Sequence, residues 1–166
     1  VVCGDRDTGR AMVDHDIPGM VSVTGSVRAG MEVAAGASKS LKRLHLELGG
    51  KAPVIIFDDA DLELAAETIA MTGYFNGGQD CTAATRVIAG PKVYNDFVTL
   101  LTEAAKKTKT GRPDEDVLYG PLNNEVHLSK VAGFLNRVPK HAKVNTGGSQ
   151  IGGKGYFFEP TVVSDL

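Results

Sequence analysis

Three short stretches hold residue types able to do chemistry in concert. In Phe75-Asn76-Gly77-Gly78-Gln79-Asp80-Cys81 a cysteine follows directly on a glycine-rich bend, which can present both its side chain and its main-chain N–H to a cleft. The thiolate is the nucleophile, and a free thiol is only a few per cent ionised at neutral pH, so a base, backbone donors or a bound cation must assist. The alternative for Cys81 is a buried, inert thiol. In Glu47-Leu48-Gly49-Gly50-Lys51 a carboxylate closes an apolar run. Partial desolvation between leucines is expected there, which raises a carboxylate's pKa and suits Glu47 to general-base work. An ion pair with Lys51 or Arg43 is the competing reading. The third stretch is Thr24-Gly25-Ser26, where a strand meets a helix. The free N–H groups and dipole of a helix start attract phosphate, and glycine allows close backbone approach. It is no G-x-G-x-x-G fingerprint, and from these residues alone an ordinary serine N-cap is the favoured reading.

These groups need elements to hold them, and apolar period and chain breakers predict which. Val1–Cys3 reads as a strand end and Asp7–Asp14 as a short helix. Met20–Thr24 is a β-branched strand, followed by a helix over Val27–Ser38 and a strand over Arg43–Leu48. Val54–Phe57 is wholly apolar, the pattern of a strand buried on both faces of a parallel sheet. Asp61 caps the helix that follows, with Glu63 in its first turn to complement the dipole, and Gly77-Gly78 breaks it. Ala84–Ala89 (strand), Val93–Lys107 (amphipathic helix), Gly111–Pro121 (polar loop), Glu125–Val138 (helix) and Ala142–Asn145 (strand) complete the pattern, with Thr161–Val163 strand-like at the end. Alternating strands and helices predict an α/β fold built from βαβ units on a parallel sheet. The best domain boundary is Gly49-Gly50.

Composition narrows the function classes. A chain of 166 residues with 42% hydrophobic and 23% charged residues is that of a globular protein, neither collagen-like nor disordered. Eighteen basic against 20 acidic residues leave a net charge of −2, so no basic field draws nucleic acid. No apolar run approaches the roughly 20 residues of a membrane span, and the opening VVCGDRDTGR is no signal peptide. Cys3 and Cys81 make no disulfide framework and no metal-ligand spacing, which points to a reducing, cytoplasmic setting without a metal. His15, His45, His127 and His141 are scattered and read as ordinary surface or core residues, and Cys3 is given no role.

Taken together, the motifs resemble the aldehyde dehydrogenase family. Asn76-Gly77-Gly78-Gln79-Asp80-Cys81 with Arg86 matches the core of its nucleophile motif, Leu46–Lys51 matches its Leu-Glu-Leu-Gly-Gly-Lys motif intact, and Thr24-Gly25-Ser26 matches its phosphate turn. Gly120-Pro121, Gly147-Gly148 and Gly155–Thr161 look like further landmarks. The resemblance implies part of a Rossmann-like NAD(P)-binding domain over 1–49, followed by an incomplete catalytic domain over 50–166. It also implies oxidation of a small-molecule aldehyde to the acid. Cys81 is the nucleophile, its main-chain N–H helps to hold the oxyanion, and Glu47 activates the water that hydrolyses the thioester. Gly25 and Ser26 contact the pyrophosphate of NAD or NADP, and the Leu48–Gly49 backbone lies by the nicotinamide. Lys51 is then a structural partner.

The run Gly78–Arg86 is similar to gamma-aminobutyraldehyde dehydrogenases, in which case Asp80 attracts the substrate's ammonium group; an Asp bonded to the loop backbone is the alternative. The chain begins and ends inside elements, so it reads as an internal segment. The family's oxyanion amide and nucleotide-ribose-reading turn are expected before residue 1, and its nicotinamide-ribose-binding Glu after Leu166. These 166 residues alone are expected not to turn over aldehyde, and the whole protein is expected to be a homo-oligomer. Two other readings stay open: an acylating semialdehyde dehydrogenase that passes its thioester to coenzyme A, which Glu47 argues against, and a non-catalytic or truncated homologue.

Overall fold

A computed structural model describes all residues from Val1 to Leu166, in two compact units, Val1–Gly50 and Lys51–Leu166. The first unit runs α1 (Arg6–Asp14), β1 (Met20–Gly25), α2 (Val27–Ser38) and β2 (Arg43–Leu48). Asp5 caps α1 by accepting from the Asp7 N–H, and Ser26 caps α2 by accepting from the Ala29 N–H. β1 and β2 pair in parallel, from Met20 opposite Arg43 to Gly25 opposite Leu48. Lys42 is the one buried charged residue; its ammonium donates to the carbonyls of His15 and Pro18 and ties the α1–β1 connection to the start of β2. Val1–Cys3 is not a strand: the segment is irregular and exposed, having no neighbouring strand to pair with.

The second unit begins with β3 (Pro53–Ile56), α3 (Leu62–Tyr74), β4 (Arg86–Ala89) and α4 (Tyr94–Lys107). β3 and β4 pair in parallel, and Asp61 caps α3 through the Leu64 N–H. Ile56, Ala66, Ile69, Val93 and Phe97 form the core between this strand pair and the two helices, with Phe97 only 2% exposed. The expectation that this apolar strand is buried on both faces fails. Helices cover one face alone, leaving Ile55, Phe57 and Ile88 more than half exposed.

The chain continues through α5 (Glu125–Leu135), β5 (Lys143–Thr146) and β6 (Val162–Ser164). β5 and β6 are antiparallel, with a register shift between Val144 and Thr146, so an all-parallel sheet is not what forms. Three separate two-stranded sheets stand in its place. Leu122, Leu128 and Phe158 make a second core, and the Leu122 N–H donates to the Tyr156 carbonyl. The late glycine- and aromatic-rich landmarks therefore have a packing role: they fold the C-terminal loop back onto α5. Gly147, at φ +71°, lies so close to Pro160 that a Cβ there would collide with its carbonyl.

Two tyrosines seal this region. Tyr119 is buried and its hydroxyl donates to the Phe158 carbonyl at 2.9 Å. Tyr74 stacks on it at 6.5 Å between ring centroids and donates to the Thr161 carbonyl. Burial pushes the Tyr119 hydroxyl up from 10.0 to about 12 and raises Tyr74 as well. Their stabilising effect is complete below the unfolded pKa of 10 and is lost as pH rises through the folded values. Unfolding free energy measured by urea titration is thus expected to fall from about pH 10 upward. Tyr119→Phe should flatten that slope in part, Tyr74 supplying the remainder, at a loss of about 1 kcal/mol at neutral pH from the missing hydrogen bond.

Candidate active site

The cysteine loop is shaped by an unusual run of backbone. α3 stops at Tyr74, earlier than the two glycines suggest, and a single 3-10 turn covers Phe75–Gly78. Asn76, Gly77 and Gly78 all take left-handed φ values, of 51°, 64° and 73°. Glycine takes these readily, and asparagine is among the side chains that tolerate them best. Asn76 and Gln79 then clasp each other. The Asn76 amide donates to the Gln79 carbonyl at 3.1 Å, and the Gln79 amide donates to the Asn76 carbonyl at 2.9 Å. Gly73, on the last turn of α3, lies close under the Ala84 carbonyl, so the helix end and the returning chain touch. Buried Ala83 anchors the far side. Between these fixed points Cys81 is exposed and unpaired, as is Cys3. Neither is a buried core cysteine in this structure.

Asp80 is committed locally. Its Oδ1 accepts from both the hydroxyl and the N–H of Thr82, each at 2.7 Å. Those two bonds, the hydroxyl's foremost, hold its carboxyl below the usual carboxylate range. The carboxylate is fully exposed and charged at neutral pH, so it has a charge to offer while sitting in a backbone turn.

Gly25, Ser26, Glu47, Leu48 and Gly49 come together in the first unit. Gly25 faces Leu48 across the strand pair, the Gly49 N–H donates to the Gly25 carbonyl at 3.1 Å, and Ser26 opens α2 beside them. Ser26 is the N-cap of α2, and its hydroxyl hydrogen is still available to a ligand. Glu47 departs from expectation. Strand alternation turns Leu44, Leu46 and Leu48 toward the helices and Arg43, His45 and Glu47 away from them. The carboxylate is therefore 63% exposed rather than desolvated, and its Oε1 lies 3.3 Å from His45 Nε2.

Two features of this unit were not foreseen. Glycine is a poor helix former, yet a Cβ at Gly30 in α2 would meet the Leu48 side chain at 2.6 Å, so it is the notch that lets the helix settle on β2. A mostly apolar cleft of about 300 Å³ lies between α1, α2 and β1, walled by Val13, Val21, Val23 and Val33 with Arg6 and Arg10 at its rim. Its signal was the apolar face that α1 and α2 share. No group of His, Cys, Asp and Glu residues could hold a metal ion, and no helix is long and apolar enough to cross a membrane.

Comparison with known proteins gives this geometry a context. The aldehyde dehydrogenase family model matches residues 1–166. Lactaldehyde dehydrogenase of Escherichia coli is 41% identical over all of this chain and 36% of its own length, and betaine aldehyde dehydrogenase of Brucella anthropi is 38% identical over all of this chain and 35% of its own. The crystal structure of the E. coli lactaldehyde dehydrogenase superposes with a TM-score of 0.91 at 42% identity, covering 95% of this chain and 34% of that one. The betaine aldehyde dehydrogenase of Staphylococcus aureus in complex with NAD+ superposes at 0.89 and 34% identity, covering 95% of this chain and 32% of that one. The chain thus spans about a third of the length of the relatives it matches. With every residue inside the family match and its α/β elements superposing on solved members, the chain belongs to the aldehyde dehydrogenase family.

Proposed function

We propose that this chain carries the nucleophile, the hydrolytic base and part of the dinucleotide site of an NAD(P)-dependent aldehyde dehydrogenase. The observation that carries the reading is the exposed Cys81 at the exit of a loop locked by the Asn76–Gln79 clasp and three left-handed residues. A loop whose backbone is fixed while its thiol stays open suits a functional site. The thiolate of Cys81 attacks the aldehyde carbon, and the alkoxide that forms takes a hydrogen bond from the Cys81 main-chain N–H. A nicotinamide bound in the first unit would supply the hydride acceptor needed for the adduct on Cys81 to become a thioester. Glu47 draws a proton from a water that attacks the thioester, and the acid leaves with the thiolate restored.

The dinucleotide fits what the first unit offers. The N-terminus of α2 at Ser26 supplies N–H groups and dipole for the phosphates, and Gly25 keeps that approach open. The cleft between α1 and α2 has the apolar walls that a flat base needs. Residues 1–49 then serve the dinucleotide and 50–166 the thiol. Water as the acyl acceptor is favoured over coenzyme A because a carboxylate stands exposed at the carboxyl end of β2, where ligands meet open α/β sheets.

In the full-length protein Cys81→Ser should abolish aldehyde oxidation. Glu47→Gln should keep a stoichiometric first turnover of reduced cofactor, followed by a steady state slowed by about 10²–10⁴-fold. Rapid-mixing absorbance at the reduced nicotinamide band reads both; a Glu47→Gln enzyme with undiminished turnover would sink the base assignment. Both cysteines being exposed, iodoacetamide with peptide mapping is a fair contest between them. Cys81 should be alkylated well before Cys3, and equal rates would favour a non-catalytic homologue.

The finer reading is an amino-aldehyde substrate. The exposed, ionised Asp80 next to Cys81 supports it, although the bonds to Thr82 fix its direction. The relatives are named for a neutral aldehyde and a cationic one, so aldehyde oxidation is what they share. Comparing kcat/KM for aminobutyraldehyde and butyraldehyde in Asp80→Asn is the test. The preference for the amine should drop several-fold, and an unchanged ratio removes Asp80 from substrate choice.

A further inference from the structure

We propose that His45 is a positioning residue: hydrogen-bonded on one side to Ser22 and set with its other ring nitrogen against Glu47, it holds the Glu47 carboxylate in the orientation that its base role requires. The inference rests on the reading of Glu47 given above. Ser22 lies opposite His45 in the parallel register, and Glu47 follows two residues later on the same strand face. The Ser22 hydroxyl is 3.1 Å from His45 Nδ1, and His45 Nε2 is 3.3 Å from Glu47 Oε1.

The donor inventory decides how the proton is placed. An ionised carboxylate can only accept, so a hydrogen bond from the ring to Glu47 requires the hydrogen on Nε2. In the neutral ring Nδ1 is then an acceptor, and the Ser22 hydroxyl donates to it. Serine thereby selects the tautomer that histidine needs to reach the carboxylate. With Oε1 occupied, Oε2 is the oxygen left to take a proton from water. On this face β1 contributes Met20, Ser22 and Thr24, and β2 adds Arg43, two residues before His45. α2 packs on the opposite face, where its Glu32 is already paired with Arg6 at 2.7 Å. His45 and Glu47 are 57% and 63% exposed in side chain, and pairs so exposed add little to folding stability. The effect belongs in turnover, in the hydrolytic half of the reaction.

The test is made in the full-length protein by separating the first turnover from the steady state. His45→Ala should leave the burst of reduced cofactor unchanged and slow thioester hydrolysis by about tenfold, the scale of a lost hydrogen bond to a charged group. His45→Gln, whose amide can donate to Glu47, should recover most of that rate. Ser22→Ala should slow hydrolysis in the same direction, and nitrogen-15 spectra should show the Nε2–H tautomer in the wild type giving way to a mixture in this variant. If Glu47→Gln stalls hydrolysis while His45→Ala runs at the wild-type rate, the positioning role is overturned and the base assignment survives. If Glu47→Gln hydrolyses normally, the base assignment falls and the positioning role with it. Should His45→Ala lose its burst through misfolding, Ser22→Ala decides: normal hydrolysis and an unmoved tautomer overturn the proposal.

Discussion

Six consecutive residue pairs lock β1 to β2, from Met20 against Arg43 to Gly25 against Leu48. Because side chains alternate across a strand, a slip by one residue would exchange the two faces of β2. Leu44, Leu46 and Leu48 would turn outward, and Glu47 would be driven under α2. The three leucines make that slip unfavourable, since each buried leucine is worth roughly 2 kcal/mol of transfer free energy when fully covered. Gly30 adds a steric check, because α2 can approach Leu48 only where a Cβ is missing. The direction in which the carboxylate points is therefore set by apolar packing on the reverse side of its own strand.

The cysteine loop reaches the same end by different means. No apolar residue pins Cys81 itself, and the thiol is open to solvent. Its position comes from backbone restriction: three successive left-handed residues, two reciprocal amide-to-carbonyl bonds, and contact between Gly73 and the chain at Ala84. Burying the loop would have fixed it equally well but would have removed the sulfur from any substrate. A self-bonded turn built on left-handed residues keeps the sulfur exposed and still fixes the backbone that carries it.

What could be read from the chain alone follows from the range of the interactions involved. Helices and strands with strong local signals were legible, such as the Asp61 cap, the Met20–Thr24 run and the amphipathic α4, because period and capping act within a few residues. The cysteine and glutamate motifs were legible too, being contiguous. Burial was not. Val54–Phe57 has the composition of a strand covered on both sides, yet helices shield only one side of it. Glu47 sits between leucines in sequence but not in space, since neighbours along a strand point to opposite faces. Likewise the antiparallel β5–β6 pair depends on how a long loop returns, which no local pattern records.

His45 shows why a partner can be hidden in plain sequence. Taken singly, a histidine two residues before a glutamate is one of several scattered imidazoles, and Ser22 is one more polar residue on another strand. Only the register puts the serine opposite the ring, and only then does the ring nitrogen facing Glu47 have a reason to hold the hydrogen. An i, i+2 pair of polar side chains on a strand always shares a face, so the contact with Glu47 was available in principle from alternation alone. The tautomer was not, because it depends on a residue 23 positions away that the parallel crossover returns to the same edge. Chemistry that rests on proton placement is thus fixed by tertiary register even when every residue carrying it lies in a legible motif or strand.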